Sequence, residues 1–264
     1  MSKEIIYKNK FEKNTYSLIE LGSKELQEAF ESGKEVIIKG YADDEAVLCT
    51  ESKTFLIRQV NTSNSMLLVN ENHTLNQYTI CDDISNTIEL KPCLARLNRI
   101  DDLLGESLYS GSKNEKELSK NKTLYSYHDL LSIVQASENE LLEALEKKGA
   151  FQHEGHFRLF ERNYLFRLFD SLMTNAILHG YDFGKMKLRE AKKCIKEEMN
   201  AVDEEEELPD HILTACINSF INDMIDQDDE FIQFDERKIC RFLGEWLLNN
   251  PRVKKKKIAT DLYD

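Results

Sequence analysis

Three short apolar segments separated by polar breaks constrain the fold more than any other feature of this sequence. They lie within residues 44–69, "DEAVLCTESKTFLIRQVNTSNSMLLV", where the breaks are "TESK" and "NTSN". Breaks of this length between β-rich runs are typical of hairpins, so the segment predicts a small antiparallel meander. Its serines and asparagines are the usual composition of hairpin turns, which favours a structural role over a catalytic one.

The flanking sequence extends the meander into a strand-rich domain over residues 1–104. A short helix is predicted between Ser23, which suits an N-cap, and Gly33, which permits a left-handed exit. A second helix is predicted from Pro92, which suits a first turn, to Gly105. Further strands are predicted at residues 15–21, 35–41, 76–83 and 86–92.

The second half of the chain is predicted to be helical and modular. Residues 105–123 are rich in Ser, Lys, Asn and Glu, and this composition predicts a linker. Over 124–199, a short helix, a helix capped by Ser137 and Glu140, and a hairpin at "AFQHEGHFRLF" follow one another in the order of a winged helix. A second, degraded winged-helix unit is predicted over 200–250, followed by a basic tail over 251–264. The predicted fold class is therefore α+β multidomain, with a small strand-rich domain, closed by a helix, preceding winged-helix units.

Composition excludes several functional classes. The 48 acidic and 35 basic residues give a net charge of −13, which argues against a protein that simply coats nucleic acid. A run of about 18 apolar residues and the apolar core of a signal peptide are both missing, so we expect neither a membrane span nor a leader. The glycines form no phosphate-binding motif and the six cysteines form no CxxC pair. We therefore predict no cofactor, no metal, and reduced thiols in an intracellular protein.

Two sets of residues could suggest a metal site or a catalytic thiol, but the sequence favours neither. His153 and His156 are three apart in the predicted hairpin tip, whereas two zinc ligands of a metalloprotease helix are four apart. The cysteines leave a thiol enzyme as an alternative, which would require one thiol with a depressed pKa. No base can be paired with any of them from spacing, so we predict that the chain is not an enzyme.

Two clusters of basic residues are candidate contacts for a nucleic-acid backbone. One follows helical spacing in "KMKLREAKKCIKEEM", opposite an apolar face of Leu188, Ala191, Ile195 and Met199, and the other lies in the tail. A solvated helix face, partly neutralised by neighbouring glutamates, is the alternative interpretation of the first. The candidate DNA-binding residues are Arg189, Lys192, Lys193, Lys196, Lys254, Lys255, Lys256 and Lys257.

The distribution of charge favours a protein partner for the last part of the chain. Residues 124–199 carry 11 basic and 12 acidic residues, whereas residues 200–264 carry 8 and 16. Because the acidic second unit repels phosphate, it suits protein binding better than DNA binding.

Several segments together resemble the Dcc-type family of sister chromatid cohesion proteins. The likeness is carried by Leu48, Cys49, Lys53, Thr54, Arg58, Thr62, Ser63, Asn64 and Val69 in the meander, and by "LNRIDDLLGESLYSG", "YSYHDLLSIVQASENELLEAL" and "DERKICRFLGEWLL". It covers roughly residues 15–250 and rests mostly on core-type residues. Family members continue through a third winged helix, whereas this sequence stops after "NNPRVKKKKIATDLYD", so we expect either a shortened homologue or a truncated sequence.

The resemblance implies a nuclear, non-catalytic adaptor subunit of the alternative, chromosome-transmission-fidelity replication factor C clamp loader. It implies that the N-terminal domain is β-barrel-like and pairs with a small β-barrel subunit. Together they would capture the C-terminal tail of the large ATPase subunit. It further implies winged helices that bind DNA polymerase epsilon and DNA, and an indirect action on the sliding clamp. The alternative function is a free-standing winged-helix DNA-binding regulator. Strand-edge recognition leaves almost no side-chain signature, so the partner-binding residues stay unknown from sequence.

Overall fold

A computed structural model gives the fold of this chain as two compact units. It describes residues 4–8, 15–61, 63–72, 77–84, 86–202, 208–225, 227–228 and 230–249, leaving aside the side chains of 116–120 and 200–202. Unit 1 comprises residues 1–97 and 131–142, and unit 2 comprises residues 98–130 and 143–264. The predicted α+β class is confirmed.

Unit 1 contains two open sheets of short strands. One has three strands in the order β1-β7-β6, and the other has five in the order β2-β8-β5-β4-β3. The pairs β1–β7 and β2–β8 are parallel, and the remaining neighbours are antiparallel. In the described part of the chain these strands do not close into a barrel. The strands are β1 (Glu4–Tyr7), β2 (Leu18–Glu20), β3 (Ile37–Lys39), β4 (Val47–Cys49), β5 (Thr54–Asn61), β6 (Leu67–Asn72), β7 (Gln77–Asp83) and β8 (Asn86–Pro92).

The core of unit 1 lies between the five-stranded sheet and helix α1 (Lys24–Glu31). The predicted cap is confirmed, because the Ser23 hydroxyl accepts a hydrogen bond from the Leu26 amide at 3.2 Å. Leu26 and Phe55 are almost fully buried within this core. The predicted helix start at Pro92 is wrong: Pro92 ends β8, and the next helix begins at Asn98.

The returning segment 131–142 is joined to the sheet by buried polar contacts. The Lys39 ammonium donates to the carbonyl oxygen of Ala136 at 2.6 Å, just beyond the end of a helix. The predicted capping pair is confirmed, since the Glu140 carboxylate accepts from the Ser137 amide at 2.9 Å. The Thr54 hydroxyl donates to the same carboxylate at 2.6 Å, so strand β5 takes part in the cap.

Residues 105–123 of unit 2 were predicted to be a linker. Helix α2 (Asn98–Gly105) ends where this segment begins, and helix α3 (Ser112–Asn121) lies within it. Tyr109 and Ser107 are fully or almost fully buried. The linker prediction is wrong because this polar segment is held by long-range contacts: the Arg158 guanidinium bonds both the Ser107 carbonyl and the Glu115 carboxylate.

A small antiparallel sheet with the strand order β10-β11-β9 follows. The predicted hairpin is confirmed, with Glu154 and Gly155 at positive φ (49° and 81°) in its tight turn. Helices α4 and α5 each begin in one unit and end in the other. The elements are β9 (Tyr125–Ser126), α4 (Tyr127–Ile133), α5 (Glu138–Lys147), β10 (Phe151–His153) and β11 (His156–Arg158).

Four helices build the larger core of unit 2. The helices are α6 (Arg162–Leu178), α7 (Leu188–Val202), α8 (Asp210–Asn218) and α9 (Glu236–Asn249). The predicted apolar face of α7 is confirmed, because Leu188, Ala191, Ile195 and Met199 are all buried. Helix α9 is capped by Asp235, whose carboxylate accepts a hydrogen bond from the Arg237 amide at 2.8 Å. Within the described ranges, none of the helices is long and apolar enough to span a membrane.

Candidate interaction surfaces

The three-stranded sheet of unit 1 exposes apolar side chains along both of its outer strands. On β6, Leu67, Leu68 and Val69 are 41%, 38% and 46% exposed. On β1, at the opposite edge, Ile5 and Tyr7 are 65% and 62% exposed. Exposed residues of this kind normally lie scattered singly on a monomeric protein, whereas these follow the edges of one sheet.

The five-stranded sheet repeats the pattern at its own two edges. Ile37 and Ile38 of β3 are exposed at one edge, and Leu18 and Ile19 of β2 are exposed at the other. An edge strand presents backbone donors and acceptors on its outer side, so it is a template for a strand from another chain. Apolar side chains beside that template add burial to the main-chain hydrogen bonds. These edges are therefore suited to protein assembly.

Sequence reasoning did not find these edge residues. Apolar alternation shows which residues belong to a strand, but it cannot show which strand ends a sheet. The family resemblance implied pairing with strands of other chains, but no side-chain pattern indicated which strands lie at the edges of a sheet.

The basic residues predicted on one helix are brought together by α7, but carboxylates of unit 2 lie among them. The Lys192 ammonium is 2.7 Å from Asp228 and 3.3 Å from Asp210. Lys196 lies 2.7 Å from Asp210 as well. Lys193 pairs with Glu197 at 3.5 Å. This arrangement agrees with a partly neutralised helix face.

Burial distinguishes the four basic residues of α7. Lys192 is buried, Lys196 is half-buried, and Arg189 and Lys193 are exposed. Burial alone lowers the pKa of Lys192, but its hydrogen bonds to Asp228 and Asp210 outweigh that cost and raise the pKa above the ordinary value. The hydrogen bond from Lys196 holds the pKa of Asp210 below its ordinary value. The Lys192 ammonium is therefore engaged in ion pairs within unit 2.

The tail lysines Lys254, Lys255, Lys256 and Lys257 lie outside the described residues. Their assignment as DNA contacts stays a prediction, as does that of the four basic residues on α7.

Four of the six cysteines are unsuited to act as a thiol nucleophile. Burial raises the pKa of the thiols of Cys49, Cys93, Cys194 and Cys216 above the ordinary value. A buried thiol with a raised pKa is protonated at neutral pH and unreactive.

The two histidines of the hairpin do not converge on a metal site. His153 ends β10 and His156 begins β11, directly across the turn. Among the described residues, no group of three or more His, Cys, Asp or Glu side chains is arranged to hold a metal ion. His153 instead contacts His211 of α8, a residue that sequence reasoning did not single out.

Comparison with known proteins identifies the family. The family described as "Sister chromatid cohesion protein Dcc1" matches residues 16–262, which is nearly the whole chain.

The chain belongs to the Dcc1 family.

Individual members of the Dcc1 family are similar along most of this chain. Sister chromatid cohesion protein DCC1 of Xenopus laevis is 28% identical over 92% of this chain and 63% of its own length. The human DCC1 is 29% identical over 89% of this chain and 60% of its own length. A probable DCC1 of Dictyostelium discoideum is 26% identical over 83% and 54%. The chain thus spans less than two thirds of the length of these relatives, whose names denote cohesion proteins rather than enzymes.

Proposed function

We propose that this chain is a non-catalytic adaptor subunit of the alternative replication factor C clamp loader that serves chromosome transmission fidelity. It would act in the nucleus on the DNA sliding clamp, in replication and in sister chromatid cohesion. Membership of the Dcc1 family supports the link to cohesion. The observation that carries the adaptor role is the set of four sheet edges in unit 1, each with exposed apolar side chains.

The proposed partners of unit 1 are a small β-barrel subunit and the C-terminal tail of the large ATPase subunit. Strands from these chains would pair with the open edges and complete a composite barrel. Assembly of this kind needs no reactive side chain, because main-chain hydrogen bonds and apolar burial supply the binding free energy. ATP would be hydrolysed by other subunits.

The proposed role of unit 2 is to connect the loader to DNA polymerase epsilon and to DNA. The order α3, β9, α4, α5, β10, β11, with β11 between β10 and β9, is similar to that of a winged helix, and this similarity supports the proposal of a recognition module. Helices α6 to α9, which follow in the chain, would form the rest of the surface that binds these partners.

Lysine substitutions on β6 should abolish assembly while leaving the fold intact. The full chain is co-expressed with the small β-barrel subunit and the ATPase tail, and the complex is measured by size-exclusion chromatography with mass determination. In Leu67→Lys/Val69→Lys, two charges lie on an edge that must pair with another strand, so we expect at least a tenfold loss of co-eluting complex. Both side chains are exposed, so the circular dichroism spectrum should not change.

The matched control is Glu28→Gln/Glu31→Gln, which changes the net charge by the same amount on exposed positions of α1. This variant should assemble like the wild type. A wild-type chain that stays monomeric with all of these partners would refute the adaptor function.

A free-standing DNA-binding regulator is the second candidate function, and the exposed Arg189 and Lys193 on α7 favour it. Neutralising both in Arg189→Gln/Lys193→Gln should weaken binding to a short DNA duplex. The slope of log K against log salt should fall in magnitude by about 1.8, because each phosphate contact contributes about 0.9. Fluorescence anisotropy at several salt concentrations measures both quantities.

The control for this experiment is Lys24→Gln/Lys34→Gln, which removes the same charge from exposed positions in unit 1. An unchanged slope in the α7 variant would exclude this helix face as a DNA contact. That result would not bear on the proposed assembly of unit 1 with its partners.

A further inference from the structure

Two imidazoles from distant parts of the sequence meet on the surface of unit 2. The Nδ1 atom of His153 lies 2.9 Å from the Nε2 atom of His211. Their rings stack with centroids 5.1 Å apart and planes inclined by 22°. His153 ends β10 in the hairpin, and His211 lies in the first turn of α8. This is a direct side-chain link between the hairpin and that helix.

The position of His153 is fixed from its other side. Its ring packs edge-on against Tyr109, with centroids 5.1 Å apart, and Tyr109 is fully buried. The other end of the contact is fixed by α8, whose Ile212 and Leu213 are fully buried next to His211. Both rings therefore stand on packed elements, although His211 itself is exposed.

Two imidazole nitrogens at this distance share one hydrogen bond, in which one donates and the other accepts. Two neutral rings satisfy this requirement, and so does a pair that carries one additional proton. A second additional proton makes both nitrogens donors and places two positive charges side by side. We propose that His153 and His211 form an acid-sensitive clasp between the β10–β11 hairpin and α8, which tolerates one added proton and is opened by a second.

The charged residues around the clasp do not cancel the repulsion between the protonated rings of His153 and His211. On the hairpin, Glu154 is the carboxylate nearest in sequence, and His156, opposite His153 across the turn, adds a further titratable ring. On α8, Asp210 precedes His211, but it is engaged by Lys192 and Lys196 of α7. The charged groups that share a cleft with His211 are Glu143, Glu146 and Lys147 of α5 and Lys238 of α9.

The position of His211 adds to its resistance to protonation. The first turn of a helix carries the positive end of the helix dipole, which disfavours a cation there. Burial, and then the charge of His153, lower the pKa of His211 below the ordinary 6.5, against the opposing pull of Asp210 and Glu154. Since the folded form takes up this proton less readily than the unfolded chain, the clasp stabilises fully above pH 6.5. Its contribution is lost as the pH falls through the lowered pKa.

The test compares the full-length wild type with His153→Gln/His211→Gln by calorimetry at pH 7.5 and pH 5.0. Glutamine forms hydrogen bonds without titrating in this range. Between these pH values the melting temperature of the wild type should fall by about 2–4 °C more than that of the variant. A tenfold shift in the folding equilibrium has this effect in a chain of this size. His128→Gln, an exposed position on α4, is the control and should behave like the wild type.

A direct titration keeps the proposal testable even if the double variant does not fold. Ring nitrogen NMR shifts of the wild type should show that His211 takes up its proton below pH 6.5 and that the ring signals of His153 change in the same step. The backbone amides of Phe151 and Phe157 in the hairpin should shift with that step. Proton uptake by His211 without a change at His153, or equal loss of melting temperature in wild type and double variant, would overturn the clasp. Neither result would bear on the assembly of unit 1.

Discussion

Replacing Arg158 by methionine should lower the free energy of unfolding by about 3–5 kcal/mol, because it leaves a carboxylate unpaired in a buried site. The Arg158 side chain is 1% exposed and that of Glu115 is 12% exposed. The guanidinium donates to both oxygens of Glu115, at 2.5 and 2.9 Å, and to the Ser107 carbonyl at 2.8 Å. Removing the guanidinium abolishes these three hydrogen bonds. The Glu115 carboxylate of α3 and the Ser107 carbonyl then lose this donor.

Urea denaturation followed by fluorescence measures this loss, since Trp246 is the single tryptophan and stacks on Phe166 in the same unit. Lys147→Met, which breaks an exposed pair with Glu143, is the control and should move the midpoint little. Replacing both partners, in Glu115→Leu/Arg158→Met, should recover part of the loss because no buried charge remains. A loss of less than about 1 kcal/mol in Arg158→Met would contradict the argument.

Lys192→Glu should also cost about 3–5 kcal/mol, because it brings a third carboxylate against Asp210 and Asp228 where a buried ammonium joined them. The Lys192 side chain is only 10% exposed, so water cannot screen the repulsion fully. Lys193→Glu on the exposed side of the same helix is the control, and it should change the urea midpoint little. Equal midpoints for the two variants would show that Lys192 is an ordinary surface residue.

The same cluster gives a pH dependence of defined sign. The pKa of Asp210 lies below its ordinary 3.8, so its contribution is present above that value and is lost as the pH falls through the lowered pKa. The pKa of Lys192 lies above 10.5, so its contribution is present below that value and is lost as the pH rises through the raised pKa. In Lys192→Met both losses should become smaller.

Local patterns predicted much of the fold. The Ser137–Glu140 cap, the hairpin with its turn at Glu154 and Gly155, and the apolar face of α7 each depend on residues a few positions apart. Such spacings are visible in a sequence because short-range sterics and hydrogen bonds determine them.

The features that the sequence did not reveal depend on contacts between residues that are far apart in the chain. Residues 105–123 look like a linker, yet Arg158 fixes Glu115 from 43 positions away. Likewise, His153 meets His211 from 58 positions away, and Lys192 meets Asp228 from 36. Composition cannot show that a polar residue has a distant partner. For this reason residues 105–123 looked like a linker, and the aspartates that pair with the lysines of α7 were not predicted.

The discontinuity of unit 1 has a consequence for its biosynthesis. Residues 131–142 supply Ser137, Ala136 and Glu140, which contact Lys39 and Thr54 of the sheet. During translation, the first 97 residues therefore cannot complete unit 1 until about 45 more residues have been synthesised. At ordinary elongation rates this takes roughly 2–9 s. During that interval the nascent strands are exposed with their edges open, so this is a period in which a partner strand or a chaperone can engage them before the unit is complete.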